Sequence, residues 1–125
     1  MNHKNQKFSI ADRIKSFKYA FAGFWYFVKN DHNGRVHLFA AAVSIGLSWY
    51  LHISALEWIA ILLVITLVIA AEIFNSSIER LADVVYAEHH PKIKVVKDLA
   101  AAAVLLMAFL AIIVGAIIFV PKLFC

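Results

Sequence analysis

Glu72, Asn75, Ser76, Glu79 and Asp83 lie in one short run that follows a stretch without any Lys, Arg, Asp or Glu from Trp58 to Ala71. At 100° per residue the three carboxylates fall within ~40° of one another on a helix, and Asn75 and Ser76 widen the stripe to ~100°. Like charges on one face repel, so packing alone does not account for the stripe. An ionisable residue deep in an apolar segment is costly and marks a site or a pathway. Glu72 is the deepest, and a carboxyl in that setting suits a general base or a proton-relay group. Glu79 and Asp83 lie nearer the polar end, and carboxylate oxygens suit hard cations such as Mg²⁺. An ordinary helix end with local ion pairs is the plainer reading of Arg80 and Asp83.

Two further groups flank the stripe. Glu88, His89 and His90 precede Pro91, and Lys94, Lys97 and Asp98 follow it. The lysines could neutralise phosphate, and Asp98 could orient a lysine or bind a nucleotide hydroxyl; ordinary positive flanking of a membrane span explains the same residues. Adjacent His89 and His90 do not have a metal-ligand spacing, which argues against zinc. Asp31, Arg35 and His37 form the other group, or else a solvated turn. The glycines Gly23, Gly34, Gly46 and Gly115 are scattered, so there is no Gly-rich phosphate loop. These residues fit Mg²⁺-assisted phosphoryl chemistry, and equally a proton or cation pathway.

The elements that must position these groups follow from composition. The 125 residues are 63% hydrophobic and 16% charged, with a mean hydropathy of +0.80. One soluble core cannot hide so much apolar surface on so short a chain. A soluble enzyme, a disordered tail and a disulfide scaffold are therefore excluded, the last also because Cys125 is the single cysteine. The expectation is an all-α integral membrane protein. Uncharged runs at Leu38–Leu56, Trp58–Ala71 and Leu99–Val120 place spans at 36–55, 57–87 and 96–120. The middle run is too short to cross alone, but its helical pattern continues through Ile73, Ile78, Leu81 and Val85. Pro91 separates the second span from the third.

Basic residues set the orientation. Lys4, Lys7, Arg13, Lys15, Lys18, Lys29 and Arg35 precede the first span, and Arg80, Lys92, Lys94 and Lys97 flank the second link. The first link carries no Lys or Arg. The N-terminus and the second link are thus expected in the cytoplasm, and the first hairpin and the C-terminus outside. Trp49, Tyr50 and Trp58 suit an outer aromatic belt. Charge placement also explains the net charge of +4 without nucleic acid. The polar N-terminus does not read as a signal peptide. Over 8–30, Ile10, Ile14, Phe17, Phe21, Phe24, Trp25 and Val28 recur at helical spacing opposite Asp12, Arg13, Lys15 and Lys18, the pattern of an amphipathic helix at the inner interface.

The run Ala71-Glu72-Ile73-Phe74-Asn75-Ser76-Ser77-Ile78-Glu79-Arg80-Leu81-Ala82-Asp83 resembles the signature of the small bacterial integral-membrane diacylglycerol kinase and undecaprenol kinase family. That pattern is Glu, two residues, Asn, three residues, Glu, three residues, Asp. Glu88-His89-His90-Pro91 followed by Lys97-Asp98, and Arg13, Ser16-Phe17, Tyr19-Ala20 and Gly23 upstream, also match, so the resemblance covers essentially the whole chain. It implies a homotrimeric bundle with sites between subunits, in the bacterial inner membrane. It implies an ATP- and Mg²⁺-dependent lipid kinase, with diacylglycerol converted to phosphatidic acid as the first choice and undecaprenol as the alternative. A membrane proton or cation pathway and a non-catalytic adaptor are more distant alternatives.

Residue by residue, the resemblance makes Glu72 the base that takes the lipid hydroxyl proton. It makes Glu79 a ligand of metal and nucleotide, with Asp31 as a second metal ligand standing where the family usually has Glu. It places Arg13, Asp31, Asn75, Asp83, Glu88, His89, His90, Lys97 and Asp98 around the nucleotide. Arg13, Arg35 and Glu72 are the residues expected at the lipid.

Overall fold

The computed structural model describes residues 7–125, and all of its regular structure is helical. Lys4, counted above among the basic residues, lies outside the described residues. Four helices follow one another: α1, Ile10–Asn30; α2, His32–Tyr50; α3, Ala55–Val85; and α4, Pro91–Phe124. The chain divides into two compact units, one reaching to Asn30 and one from Asp31 onward.

Within the first unit, α1 begins after Ser9, whose Oγ accepts a hydrogen bond from the Asp12 N–H at 3.4 Å, the usual way to satisfy a free helix N-terminus. Ile10, Ile14, Phe17 and Phe21 are exposed along it.

In the second unit α3 is the central element, packed chiefly against α4 and less extensively against α2. Sequence chemistry sets the ends of these helices. Ser54 and Glu57 form a capping box, each side chain bonding the other's backbone N–H at 3.2 and 3.0 Å. That box requires the chain to leave the preceding helix early. Accordingly α2 stops at Tyr50, five residues before the expected boundary at 55, and His52 makes the turn with φ of 51°. At the other link α3 ends at Val85, and Pro91 opens α4 at its first turn, where a missing N–H costs nothing. His90 caps α4: its Nδ1 accepts the Lys92 N–H at 3.1 Å. Helix α4 thus starts five residues earlier than 96 and runs past Pro121.

A buried apolar cluster lies at the end of the second unit that holds the turn between α2 and α3. Ile53, Ile61 and Ile118 are buried together, with Trp58, Val114 and Phe119 against them. An ion pair between Lys122 and Glu57 at 3.3 Å joins α4 to α3 at that end, and one between Lys97 and Asp83 at 2.6 Å joins them at the opposite end.

Among the described residues, α3 and α4 are long and apolar enough to cross a membrane. Their 31 and 34 residues rise roughly 46 and 51 Å, more than the ~30 Å hydrocarbon layer. Phe74, Leu106, Ile112 and Ile117 remain exposed on them, as lipid-facing side chains would.

Candidate active site

Glu72 is the deepest carboxyl of the stripe and is 3% exposed. It lies on the α3 face that meets α2. Asn75, one turn on, is 6% exposed. Side chains on a helix lean towards its N-terminus, and Glu79 accordingly reaches back until its Oε1 lies 3.4 Å from the Asn75 Nδ2 donor. The Asn75 Oδ1 is buried without a hydrogen-bond partner. From α2, His37 Nε2 approaches Glu72 Oε2 at 3.8 Å. Asp31 caps α2, its Oδ1 accepting the Gly34 N–H at 2.8 Å, and its carboxyl also comes within reach of Glu72. These groups surround a cavity of about 270 Å³ lined by Asn33, His37, Glu72, Asn75 and Glu79 and closed on the α4 side by Ala101, Val104, Leu105 and Ala108.

One turn nearer the 86–90 link, a second cavity of about 250 Å³ is lined by Asp83, Tyr86, Glu88, His89, His90, Lys94 and Lys97. Its cations are held in place. Lys97 donates to Asp83 across the helix pair at 2.6 Å, and Lys94 donates to Asp98 on its own helix at 2.6 Å. Tyr86 packs edge-on against His90, with ring centroids 5.1 Å apart. Because His90 Nδ1 accepts a backbone N–H, its Nε2 is the nitrogen left to meet a ligand.

A buried carboxyl pocket beside one that holds two carboxylate-paired lysines fits transfer of a charged group to a membrane alcohol. Relatedness decides between this reading and an ion pathway. Residues 18–119 match the family described as prokaryotic diacylglycerol kinase. The chain is 33% identical to an undecaprenol kinase of Bacillus subtilis over 123 residues, 98% of this chain and 100% of that one. It is 36% identical to a diacylglycerol kinase of Synechocystis over 111 residues, 88% of this chain and 63% of that longer protein. A diacylglycerol kinase of Haemophilus influenzae is 31% identical over 107 residues, 85% of this chain and 91% of its own. The chain belongs to the prokaryotic diacylglycerol kinase family. It is a lipid kinase of the membrane, and ATP is the phosphate donor that a kinase of this kind implies.

In this diacylglycerol kinase family member, the residues singled out from the sequence fall into separate places. Glu72, Asn75 and Glu79 share the first cavity, with the Asp31 carboxyl close by, and Asp83, Glu88, His89, His90 and Lys97 line the second. Asp98 lines neither and is spent on Lys94. Arg35 lines neither; it is exposed, and its guanidinium donates to His32 Nδ1 at 3.0 Å. Arg13 stands in the first turn of α1 with its guanidinium 6.0 Å from the centre of the Phe8 ring. Two polar residues of the first cavity carried no assigned role, Asn33 and His37. Their i, i+4 spacing was the available signal, since it puts both on one face of α2.

The donor set suits a hard divalent ion. Asp31 and Glu79 offer carboxylate oxygens, and Asn75 Oδ1 is an acceptor with nothing to accept from. Among the described residues no three His, Cys, Asp or Glu side chains converge on one metal position. Mg²⁺ does not need three, because it is commonly bound through one or two carboxylates plus water and substrate phosphates.

Proposed function

We propose that this chain transfers the γ-phosphoryl group of ATP to the hydroxyl of a membrane lipid at the cytoplasmic face. The observation that carries the proposal is Glu72: a buried carboxyl, 3% exposed, at the end of an uncharged stretch and open to a cavity shared with Glu79. Glu72 accepts the lipid hydroxyl proton as the new O–P bond forms; the bond to the β-phosphate oxygen breaks and ADP keeps that electron pair. Phosphoryl transfer asks for positioning and charge neutralisation more than for covalent help. Asp31 and Glu79 would hold Mg²⁺, which supplies charge neutralisation at the phosphate oxygens when bound. Asn75 orients Glu79. Lys97, fixed by Asp83, contributes a cation in the pocket where Glu88, His89 and His90 receive the nucleotide. Asp98 acts through Lys94, while Arg13 and Arg35 serve the lipid headgroup, Arg13 also the nucleotide.

The membrane arrangement belongs to the same proposal. Helix α2, 19 residues long, is the remaining span, supported by its uncharged course from Leu38 onward. The basic residues support a cytoplasmic N-terminus and second link in the inner membrane, with the C-terminus outside. α1 is the interfacial helix. A homotrimer is supported by the family resemblance of the motifs.

Diacylglycerol is the first substrate reading, from the family's description and two relatives' names. Undecaprenol is the second, favoured by the relative of that name that aligns over its whole length. The test gives the purified protein, in bilayers, labelled ATP and Mg²⁺ with each alcohol separately. Label entering the lipid phase is expected, and none with either alcohol overturns the proposal. Glu72→Gln is expected to abolish transfer while nucleotide binding persists; an active variant removes Glu72 from the base role.

A further inference from the structure

Glu72 stands in poor company for a group that must hold one orientation. From α3 it faces Glu79, and from the α2 cap Asp31, both carboxylates. Helix α4 presents only Ala101, Val104, Leu105 and Ala108, with nothing ionisable. The Asn75 amide that could steady it also faces Glu79. Two neighbouring carboxylates disfavour the charged form of Glu72 and give it no single orientation, so a donor on the α2 side would supply one. The side chain aimed at it from α2 is His37, whose Nε2 lies 3.8 Å from Glu72 Oε2. That distance is a polar contact, roughly 0.6 Å beyond the ~3.2 Å outer range of an N–H···O bond, and such contacts often tighten when a substrate closes a site.

His37 also stands at a boundary. It lines the polar cavity and, together with Ala108, also the apolar cleft of about 230 Å³ running between α2, α3 and α4 past Ala41, Ser44 and Val68. An amphiphile's polar end would change surroundings at this depth. With two side-chain torsions against the three of glutamate, the imidazole is the stiffer partner, and its helix fixes where it begins.

We propose that His37 is a positioning residue of the kinase, holding one carboxylate oxygen of Glu72 so that the other faces the lipid hydroxyl. This rests on Glu72 being the base. Outer partners that orient metal-ligating side chains through a hydrogen bond typically cost ~10–100-fold when lost, and a partner that orients a base in the same way is expected to cost a similar factor. His37→Met keeps the bulk and removes the donor, whereas His37→Gln restores an N–H near the place of Nε2. Both are assayed in bilayers with Mg²⁺, ATP and the accepted lipid alcohol, alone and with Glu72→Gln. His37→Met is expected to lower kcat ~10–100-fold with the KM for ATP unchanged, and His37→Gln to recover most of the loss. Full kcat in His37→Met overturns the proposal, as does an equal loss in both variants. Activity retained by Glu72→Gln alone would instead strike the base assignment, so the two failures are distinguishable.

Discussion

The Lys97–Asp83 pair makes a sharp test, because its contributions to stability and to activity should differ widely. The two side chains are 36% and 64% exposed, and the contact is 2.6 Å. Exposed pairs of this kind contribute about 0.2–1 kcal/mol even with good geometry. Replacing either residue should therefore shift an unfolding midpoint only slightly, the more so because the pair lies at the opposite end of α3 from the Ile53, Ile61 and Ile118 cluster. If Lys97 meets phosphate charge, its loss is felt in transfer. A cation acting on developing charge is worth about 2.7–4 kcal/mol, or roughly 100- to 1,000-fold in rate. Lys97→Met should lower kcat/KM for ATP by that factor, whereas Asp83→Asn should lower it less, about 10-fold, by freeing the lysine. The deciding measurement is the double variant. With Lys97→Met already present, Asp83→Asn should add almost nothing, since its effect passes through the missing amine. Multiplicative losses in the double variant would refute that account and give Asp83 a direct role. A large fall in stability for either single variant would refute the surface-pair energetics.

Two further outcomes follow from the same geometry. Asp31→Ala should raise the Mg²⁺ concentration needed for half-maximal transfer, and an unchanged requirement would remove Asp31 from the metal set. It also loses the α2 cap, so Asp31→Asn, which keeps an oxygen for the Gly34 N–H, separates the two roles. Ser54→Ala breaks the capping box of α3 and should cost about 0.5–2 kcal/mol in reversible unfolding, with kcat unaffected in the folded protein because the box lies at the far end of α3 from the site.

The α3 stripe was legible because helical period alone brings Glu72, Asn75 and Glu79 together, and because charge within an apolar run has few innocent explanations. Helix α4's pairing of Lys94 with Asp98 was legible for the same reason, as an i, i+4 spacing. Lys97 was different. Its partner Asp83 lies 14 positions away on another helix, and only the fold of the 86–90 link brings them together. His37 was visible as a residue but not as a neighbour of Glu72. A histidine near the start of a span has a plain interfacial explanation, and nothing local says which face of α2 meets α3. The helix ends were displaced for a related reason: the uncharged run through Leu56 hides the Ser54 capping box, a polar signal made of two side chains and two backbone groups.

Spacing along α3 then constrains what the two cavities can each hold. Glu72 and Asp83 are separated by a rise of roughly 16 Å, three helical turns. A single phosphate cannot contact both. Glu79 bridges the interval because its side chain bends back to Asn75, which brings its charge into the deeper cavity while its backbone stays a turn from Asp83. On the proposed function, the transferred phosphoryl group belongs with Glu72, Glu79 and Asp31, and Lys97 with Asp83 belongs to the departing phosphates, where negative charge grows as the bond breaks. The order of groups along the helix is then the order of the reaction: the alcohol beside the apolar cleft, the phosphoryl group at the paired carboxylates, and the departing nucleotide at the water-facing lysines. Reversing that order would ask a soluble nucleotide to enter the hydrocarbon layer ahead of the lipid, against the whole distribution of charge along α3.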